Sequence, residues 1–265
     1  MNNKPIIIVG GEPYGIFFEI FFKSKKKINL KRPVILIASK KLILLQMKKL
    51  GFNFKINTID ENKVNFDLLD KKKINLINVD FQFSKIFDKI SNKSNSYINQ
   101  SFDIALKILK ENKCAGLING PVSKKNFLQG KYLGITEFLA SKKNIKDNFA
   151  MLIYNKKISV SPITTHLPLK VVHKFISKNK IINNVKIIVK FYKKYFKKIP
   201  KIAVTGLNPH CESNFKSSEE EALIKPAIEL LLRNGYDVKG PFPADTLFMK
   251  EQLKKYDLVI GMYHD

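Results

Sequence analysis

The chain has 265 residues, of which 48 are lysine or arginine and 22 are aspartate or glutamate, so its formal net charge is +26. Such a charge would suit nucleic acid or an anionic membrane. However, only Arg32 and Arg233 supply the planar guanidinium that usually reads phosphates and bases. The lysines are spread through nearly every segment beside many Asn, Ile and Phe residues, which all have A/T-rich codons. We therefore attribute the charge mainly to base composition and expect neither a nucleic-acid nor a membrane partner.

Cysteine usage and the apolar segments indicate the cytoplasm. Cys114 and Cys211 are the two cysteines and lack C-x-x-C spacing, which argues against a disulfide scaffold or a cysteine-based metal site. The apolar core of the opening "MNNKPIIIVG" is too short for a signal peptide. The run "GIFFEIFF" is interrupted by Glu19 and is too short to span a bilayer. We therefore expect a soluble, cytoplasmic protein.

In chain order, the first predicted element is the strand "PIIIVG" at 5–10, which runs into the turn "GEPYG" and a second apolar run. This order of elements is similar to a nucleotide-binding strand, turn and helix. However, Gly10, Gly11 and Gly15 do not fit the G-x-G-x-x-G spacing of a phosphate cradle, and no convincing ribose-binding acid follows a second strand. The sequence therefore does not predict a nucleotide-binding site at this turn.

Apolar runs alternate with helical patterns along the rest of the chain. Continuous apolar runs are typical of a sheet covered on both faces, and strand–helix alternation predicts α/β layers. In the helical pattern at 98–113 the apolar residues share one face, and the pattern at 217–235 opens with a serine cap and an acidic first turn. Pro226 is expected to kink or divide the second helix. The predicted buried strands are 5–10, 32–39, 114–120, 201–207 and 256–263.

The middle of the chain suggests how it is divided. The weakly patterned stretch 52–96 is rich in lysine and asparagine and predicts strands and loops at an outer edge. A turn-rich segment at 128–135 follows a predicted strand, and we place a domain boundary there. The sequence thus predicts two α/β domains, residues 1–130 and 131–265.

Three of the four histidines follow apolar runs at the predicted ends of strands. These are His166, His210 and His264, whereas His173 lies in a helical pattern and is interpreted as a helix-surface residue. Ligands of open α/β sheets bind beyond the carboxyl ends of strands. Three imidazoles at such an edge could hold one divalent cation with a coordination position left open. From the spacing alone, ordinary polar residues at strand ends remain the alternative.

Several motifs resemble the 4-hydroxythreonine-4-phosphate dehydrogenase family. They occur in family order from one end of the chain to the other, which makes the set more specific than any single motif. "INGPVSK" (118–124), "GITEFLA" (134–140) and the opening "GGEPYGIFFEI" match loosely. The closer matches are "TTHLPL" (164–169), "GLNPH" (206–210), "GPFPADTLF" (240–248) and "YHD" (263–265).

The resemblance implies two α/β/α domains with the active site in a cleft between them, similar to the isocitrate and isopropylmalate dehydrogenases. It implies NAD-dependent oxidation and decarboxylation of 4-phosphooxy-L-threonine to 3-amino-2-oxopropyl phosphate in pyridoxal phosphate biosynthesis. It also implies a homodimer with shared sites. Residues that bind NAD are not identified by the motifs.

The resemblance also assigns roles to single residues. It makes His166, His210 and His264 the ligands of a divalent metal, one of them contributed across the dimer interface. Zn suits three imidazoles best, and Mg, Mn and Co are alternatives. Such a cation would acidify the substrate hydroxyl and stabilise negative charge on that oxygen during oxidation and decarboxylation. Because ligating histidines must be neutral, activity is expected to fall in acid.

Four further residues are candidates for the site. The resemblance implies that Thr136 contacts substrate and that Asp245 and Asp265 lie near the reacting groups as candidate catalytic residues. Lys124 could bind the phosphate or carry a proton, and a solvated lysine is the alternative.

The sequence departs from the family pattern at several of these places. Ile135 stands where the family has a substrate-binding histidine, and isoleucine cannot hydrogen-bond. The loop "HCESNFKSSEE" lacks the family's glycines, and its Cys211 is either an extra ligand or an ordinary loop thiol. In the opening motif Glu12, Tyr14, Phe17 and Phe18 replace Asp, Ala, Gly and Pro. The family continues past "YHD" with a lysine, an asparagine and an arginine that bind substrate, so we expect a chain truncated at its C-terminus relative to the family.

Two alternative functions stay open. One is a paralogous dehydrogenase for a related phosphorylated hydroxy acid such as a phosphoerythronate, to which Ile135 and the altered loop give some weight. The other is an inactive, truncated remnant that still folds and binds metal.

Overall fold

The computed structural model describes residues 4–28, 31–111, 113–145, 148–211 and 215–264. The chain divides into two compact units, Met1–Tyr132 (unit 1) and Leu133–Asp265 (unit 2). The division falls two residues beyond the boundary predicted from the turn-rich segment.

The described residues of unit 1 form a parallel sheet and three α-helices. Its strands are β1 (Ile6–Val9), β2 (Val34–Ala38), β3 (Ile56–Ile59), β4 (Ile74–Asn78) and β5 (Gly116–Asn119). Its helices are α1 (Phe17–Lys27), α2 (Lys40–Lys49) and α3 (Asn95–Lys110), with short 3-10 turns at Phe66–Leu68 and Asn92–Ser94 and a π-helical turn at Lys124–Leu128. The strand order is β3-β4-β2-β1-β5, and all pairs are parallel.

Both faces of the unit 1 sheet are covered. On one face Leu36 and Leu76 pack with Phe18 and Phe22 of α1. On the other face α3 packs against β1, β2 and β5, because the opposite side chains of the same strands, such as Ile35, are equally apolar and fully buried. The stretch 52–96 supplies the edge strand β3 and its neighbour β4, which confirms its predicted place at an outer edge.

Unit 2 has a second parallel sheet. Its strands are β6 (Ser159–Pro162), β7 (Ile202–Thr205), β8 (Val238–Phe242) and β9 (Leu258–Gly261), in the order β6-β9-β7-β8. Its helices are α4 (Ile135–Lys142), α5 (Leu169–Val172), α6 (Lys178–Phe196), α7 (Lys225–Arg233), α8 (Ala244–Leu247) and α9 (Lys250–Leu253). A 3-10 turn, His173–Phe175, follows α5, and a π-helical segment, Glu220–Ile224, precedes α7.

The unit 2 sheet is also sandwiched between helices. Val204 and Ile260 pack with Val185 of α6 and Leu231 of α7, whereas Ala203 and Val259 pack on the opposite face with Leu247 of α8. The predicted α/β/α organisation and the five predicted strands, now β1, β2, β5, β7 and β9, are confirmed. None of the helices in the described ranges combines the length and apolar character that crossing a bilayer requires.

Pro226 divides the helical pattern at 217–235, as the sequence predicts. It lies at the second position of α7, where the chain passes from a π-helical segment into the α-helix. The preceding turns form the π-helical segment Glu220–Ile224. Glu220, the first residue of this segment, is buried and is described below.

Candidate functional site

Three strands of the unit 2 sheet carry the predicted histidines to one edge. β6, β9 and β7 are neighbours and parallel, so the segments that follow them leave from the same side of the sheet. His166 lies after β6, His264 after β9 and His210 after β7. We take this edge as the candidate site.

His166 and His264 lie side by side. Their ring centroids are 5.4 Å apart and their planes are inclined by 30°. The Thr164 hydroxyl donates a hydrogen bond of 2.8 Å to the carbonyl oxygen of Met262, which ties the segment after β6 to the segment after β9. His166 has a φ of 54°, a left-handed conformation that costs a residue with a side chain about 1 kcal/mol or more. The site therefore holds this imidazole in a strained backbone position.

A cavity of about 650 Å³ brings His210 to the same edge. Its lining includes His173, His210, Asp245 and His264. A second cavity, of about 320 Å³, is lined by His166 and also by His264. His264 therefore contributes to both cavities, and of the three predicted ligands it is the one that lines each of them.

The donor set suits a divalent cation, because imidazoles at a polar strand edge are common ligands of such metals. Within the described residues of the single chain, no group of three or more His, Cys, Asp or Glu side chains is close enough to hold one metal ion. One chain thus pairs His166 with His264 and leaves His210 at the neighbouring cavity. The set of three ligands stays a prediction.

Cys211 is held inside the loop that follows β7. It is buried and its sulfur lies over Gly206, so closely that a side chain at position 206 would collide with it. Cys211 and the adjacent His210 both have left-handed backbone conformations, with φ of 56° and 61°. This packing favours the interpretation of Cys211 as a structural loop thiol.

Glu220 fixes the loop that carries His210, a role that the sequence analysis missed. Its Oε1 accepts hydrogen bonds from the backbone N–H groups of Leu207 (2.7 Å) and Asn208 (2.8 Å), and its Oε2 accepts one from the Asn208 side chain (2.8 Å). Burial acts to raise the pKa of Glu220, but these hydrogen bonds outweigh it and the pKa lies below its ordinary value. The fully buried carboxylate is therefore held charged.

Thr136 and Ile135 lie at the start of α4 beside the His166 segment. A cavity of about 160 Å³ is lined by Thr136, Glu137, Thr164 and Thr165, the last two of which directly precede His166. Ile135 is half-buried and brings no hydrogen-bonding group to this place. The predicted substrate contact at Thr136 is thus near one of the predicted metal ligands.

The remaining predicted residues are more scattered. Asp245 is exposed in the first turn of α8, lines the 650 Å³ cavity, and accepts a 2.6 Å hydrogen bond from the backbone N–H of Thr246. Lys124 is exposed in unit 1, at the start of the π-helical turn. Asp265 lies outside the described residues.

The opening turn of unit 1 is filled by protein atoms. Gly11 has a φ of 71°, and a Cβ there would lie 2.5 Å from the carbonyl oxygen of Pro121. The backbone N–H of Glu12 donates to that same oxygen at 2.9 Å. The turn therefore packs against the "GPVSK" loop after β5, which agrees with the exclusion of a Rossmann phosphate cradle.

Glu12 is a buried carboxyl in this turn. Its Oε2 accepts a 3.1 Å hydrogen bond from the Ser94 hydroxyl, and its Oε1 is buried without a hydrogen-bond partner among the described residues. Burial raises the pKa of Glu12, against the opposing hydrogen bonds from Ser94 and from the backbone of Tyr14.

Replacing Glu12 by Gln should change how stability depends on pH. A raised folded-state pKa means that the folded protein binds the proton more tightly, so the wild type loses stability as pH rises from the ordinary glutamate range through the folded pKa. We expect E12Q to gain stability relative to the wild type across that window. Urea unfolding at stepped pH measures this, with the exposed, ion-paired Glu19→Gln as control. A difference that is constant with pH would contradict the prediction.

Comparison with solved structures defines the class of the protein. The crystal structure of a 4-hydroxythreonine-4-phosphate dehydrogenase from Klebsiella pneumoniae matches with a TM-score of 0.83 and 28% identity, covering 99% of this chain and 82% of that one. A structure of the same description from Burkholderia phymatum matches with a TM-score of 0.81 and 27% identity, covering 99% of this chain and 81% of that one. The two-domain α/β/α fold of these dehydrogenases is thus the fold of this protein.

The family follows from the sequence comparisons. The family model described as "Pyridoxal phosphate biosynthetic protein PdxA" matches residues 29–265, and the chain belongs to this family. It is 34% identical to the 4-hydroxythreonine-4-phosphate dehydrogenase of Sulfurihydrogenibium sp. (strain YO3AOP1), over 98% of this chain and 80% of that protein. It is 30% identical to a protein of Oceanobacillus iheyensis named "Putative D-threonate 4-phosphate dehydrogenase", over 100% of this chain and 82% of that protein. The predicted family is confirmed, and it is a family of oxidoreductases.

Proposed function

We propose that the protein is an NAD-dependent 4-hydroxythreonine-4-phosphate dehydrogenase, which oxidises and decarboxylates 4-phosphooxy-L-threonine to 3-amino-2-oxopropyl phosphate. Membership of the PdxA family carries the proposal. The histidines at the carboxyl edge of the unit 2 sheet support it, because the reaction needs a group that withdraws charge from the substrate hydroxyl and imidazoles can hold such a cation. We further propose that the protein acts in the cytoplasm.

His166, His210 and His264 are proposed to hold the divalent cation, with one of the three supplied by the partner subunit of a homodimer. The adjacent rings of His166 and His264 and the shared cavity of His264 and His210 support this set. When bound, the cation would lower the pKa of the substrate hydroxyl and stabilise negative charge on its oxygen. Zn, Mg, Mn or Co could serve.

The chain's other residues would bind and orient the substrate. Thr136, beside the His166 segment, offers a hydroxyl for a substrate oxygen. Asp245 presents a carboxylate to the cavity that His210 and His264 line, where it could hold the proton of the substrate hydroxyl as hydride leaves for NAD. Lys124 is proposed either to bind the phosphate or to carry a proton to the carbon that loses carbon dioxide.

A second substrate class is favoured by specific observations. Relatives at 30% and 31% identity are named for D-threonate 4-phosphate, which is a phosphorylated hydroxy acid rather than an amino acid. Ile135 adds weight, because an apolar side chain adjoins the proposed substrate residue Thr136 where the family has a histidine. Both substrates share the phosphate and the reacting hydroxyl and differ at the α-carbon, so the same site could act on either.

The decisive experiment assays 4-phosphooxy-L-threonine and D-threonate 4-phosphate side by side with NAD and each candidate metal. We expect kcat/KM for the threonine compound to exceed that for the threonate by about tenfold or more, the discrimination that one polar group at a substrate carbon can provide. The reverse preference would support the second candidate. Turnover of neither substrate, together with no calorimetric binding of NAD, would support an inactive remnant.

A further inference from the structure

Glu137 combines one satisfied and one unsatisfied carboxylate oxygen close to His166. Its Oε1 accepts a 2.7 Å hydrogen bond from the Thr165 hydroxyl. Its Oε2 is buried and has no hydrogen-bond partner among the described residues. A buried carboxylate oxygen without a donor destabilises the folded protein, so such a group calls for a reason.

Gly134 shows what the unsatisfied oxygen faces. A Cβ at position 134 would lie 3.1 Å from Oε2 of Glu137 and 3.4 Å and 3.5 Å from Cδ2 and Nε2 of His166. The carboxylate oxygen and the Nε2 edge of the imidazole therefore border the same small space. The φ of Gly134 is −162°, an extended conformation open to any residue, so the glycine is needed here for room and not for backbone conformation.

The backbone conformation of His166 also supports a role for Glu137. Thr165, which Glu137 holds, immediately precedes His166, and His166 has the strained φ of 54°. A strained conformation persists where neighbouring contacts enforce it. One carboxylate thus contacts the residue that directly precedes His166 and also borders the space beside the His166 ring.

We propose that Glu137 is a positioning residue for His166: Oε1 anchors the backbone through Thr165, and Oε2 accepts the Nε2–H of the imidazole when Nδ1 faces the proposed metal. Metal-binding histidines usually donate their second ring N–H to such an acceptor, which fixes the tautomer and strengthens the ligand. The proposal rests on the proposed metal-binding role of His166. Glu137 lies in the motif "GITEF", and the family resemblance assigned no function to it. The proposal gives it one.

The test measures Co²⁺ affinity of the full-length protein by calorimetry, without substrate or NAD. Glu137→Gln keeps an oxygen for Thr165 and replaces the acceptor that faces His166 by an N–H donor. We expect Co²⁺ affinity to fall by about 10- to 100-fold, the range found when such a partner is lost. The control Glu251→Gln alters an exposed carboxylate on α9 and should leave affinity unchanged.

The ring N–H of His166 gives a readout that a merely structural role would not move. In the Zn²⁺-loaded wild type, NMR should show this proton protected from exchange with water, and in E137Q the protection should be lost. Wild-type Co²⁺ affinity together with an unchanged ring N–H in E137Q would overturn the proposal.

Two further variants separate the possible failures. If His166→Ala leaves Co²⁺ binding intact, His166 is not a ligand and the proposed metal site itself fails. If His166→Ala abolishes binding while E137Q does not weaken it, only the role of Glu137 fails. If E137Q does not fold, Gly134→Ala is the second variant, because it places a methyl group between Oε2 of Glu137 and the ring of His166 without removing a polar atom. We expect its Co²⁺ affinity to fall by about tenfold. An unchanged Co²⁺ affinity would overturn the proposal.

Discussion

Replacing His210 by alanine should reduce the affinity of the protein for a divalent cation by at least about 100-fold, more than the loss expected for a residue that only supports a ligand. His210 is one of three proposed imidazole ligands. A water molecule that took its place would bind the cation more weakly than a neutral imidazole, so the two remaining histidines would hold the metal less tightly. Dehydrogenase activity should fall by roughly 1,000-fold or more, because stabilisation of charge at the reacting oxygen is commonly the largest catalytic contribution.

The cavity itself provides the matched control for this experiment. His173 lines the same 650 Å³ cavity as His210, is exposed, and lies in the 3-10 turn after α5. Calorimetric titration of Co²⁺ into His173→Ala should give the wild-type affinity, and its activity should stay within about threefold of the wild type. Unchanged metal binding in H210A, or an equal loss in H173A, would contradict the three-histidine site.

The sequence predicts the place of this site because the ends of buried strands can be recognised from the local pattern of apolar residues. A buried parallel strand appears as a continuous apolar run, and β7 and β9 were both predicted in that way. Since parallel strands end at one edge, a polar residue after each run is placed near the others without any knowledge of their contacts. Side-chain pairing is different: nothing in the spacing of His166 and His264 indicates that their rings lie 5.4 Å apart while His210 lines a neighbouring cavity.

Other features depend on tertiary contacts that local sequence does not specify. The edge strand β8 contains Gly240 and Pro241, residues that are typical of turns and are tolerated in strands mainly at sheet edges. The cluster of acids at 219–221 reads as an ordinary acidic first turn of a helix. Only the π-helical start of that helix shows which of these carboxylates turns inward to bind the loop of His210.

Replacing Glu220 by glutamine should destabilise unit 2 by about 3 kcal/mol near neutral pH. The carboxylate accepts three hydrogen bonds from Leu207 and Asn208, and each bond to a charged group contributes about 1.5–3 kcal/mol. Glutamine keeps one accepting oxygen but points an N–H group at a donor, so at least one buried donor loses its partner. Urea unfolding followed by circular dichroism measures the loss.

The lowered pKa of Glu220 determines how the stability difference between wild type and E220Q changes with pH. Because the pKa of Glu220 is lowered in the folded state, its stabilising contribution is present above the ordinary glutamate range and is lost as pH falls through the folded pKa. The stability difference between wild type and E220Q should therefore shrink in acid, the opposite of the trend expected for Glu12→Gln. A gap that widened as the pH fell would contradict the lowered pKa.

Glu221 supplies the control one residue along the chain. It forms a half-exposed ion pair with Lys225 on the same helical segment, and ion pairs that solvent reaches contribute about 0–1 kcal/mol. Glu221→Gln should therefore barely change the free energy of unfolding. If the Glu220 carboxylate holds the loop as described, E220Q should also weaken Co²⁺ binding at His210 under conditions where the protein stays folded, because the loop that presents His210 is no longer fixed. Folded E220Q with wild-type Co²⁺ affinity would show that the hydrogen bonds of Glu220 stabilise unit 2 without positioning His210.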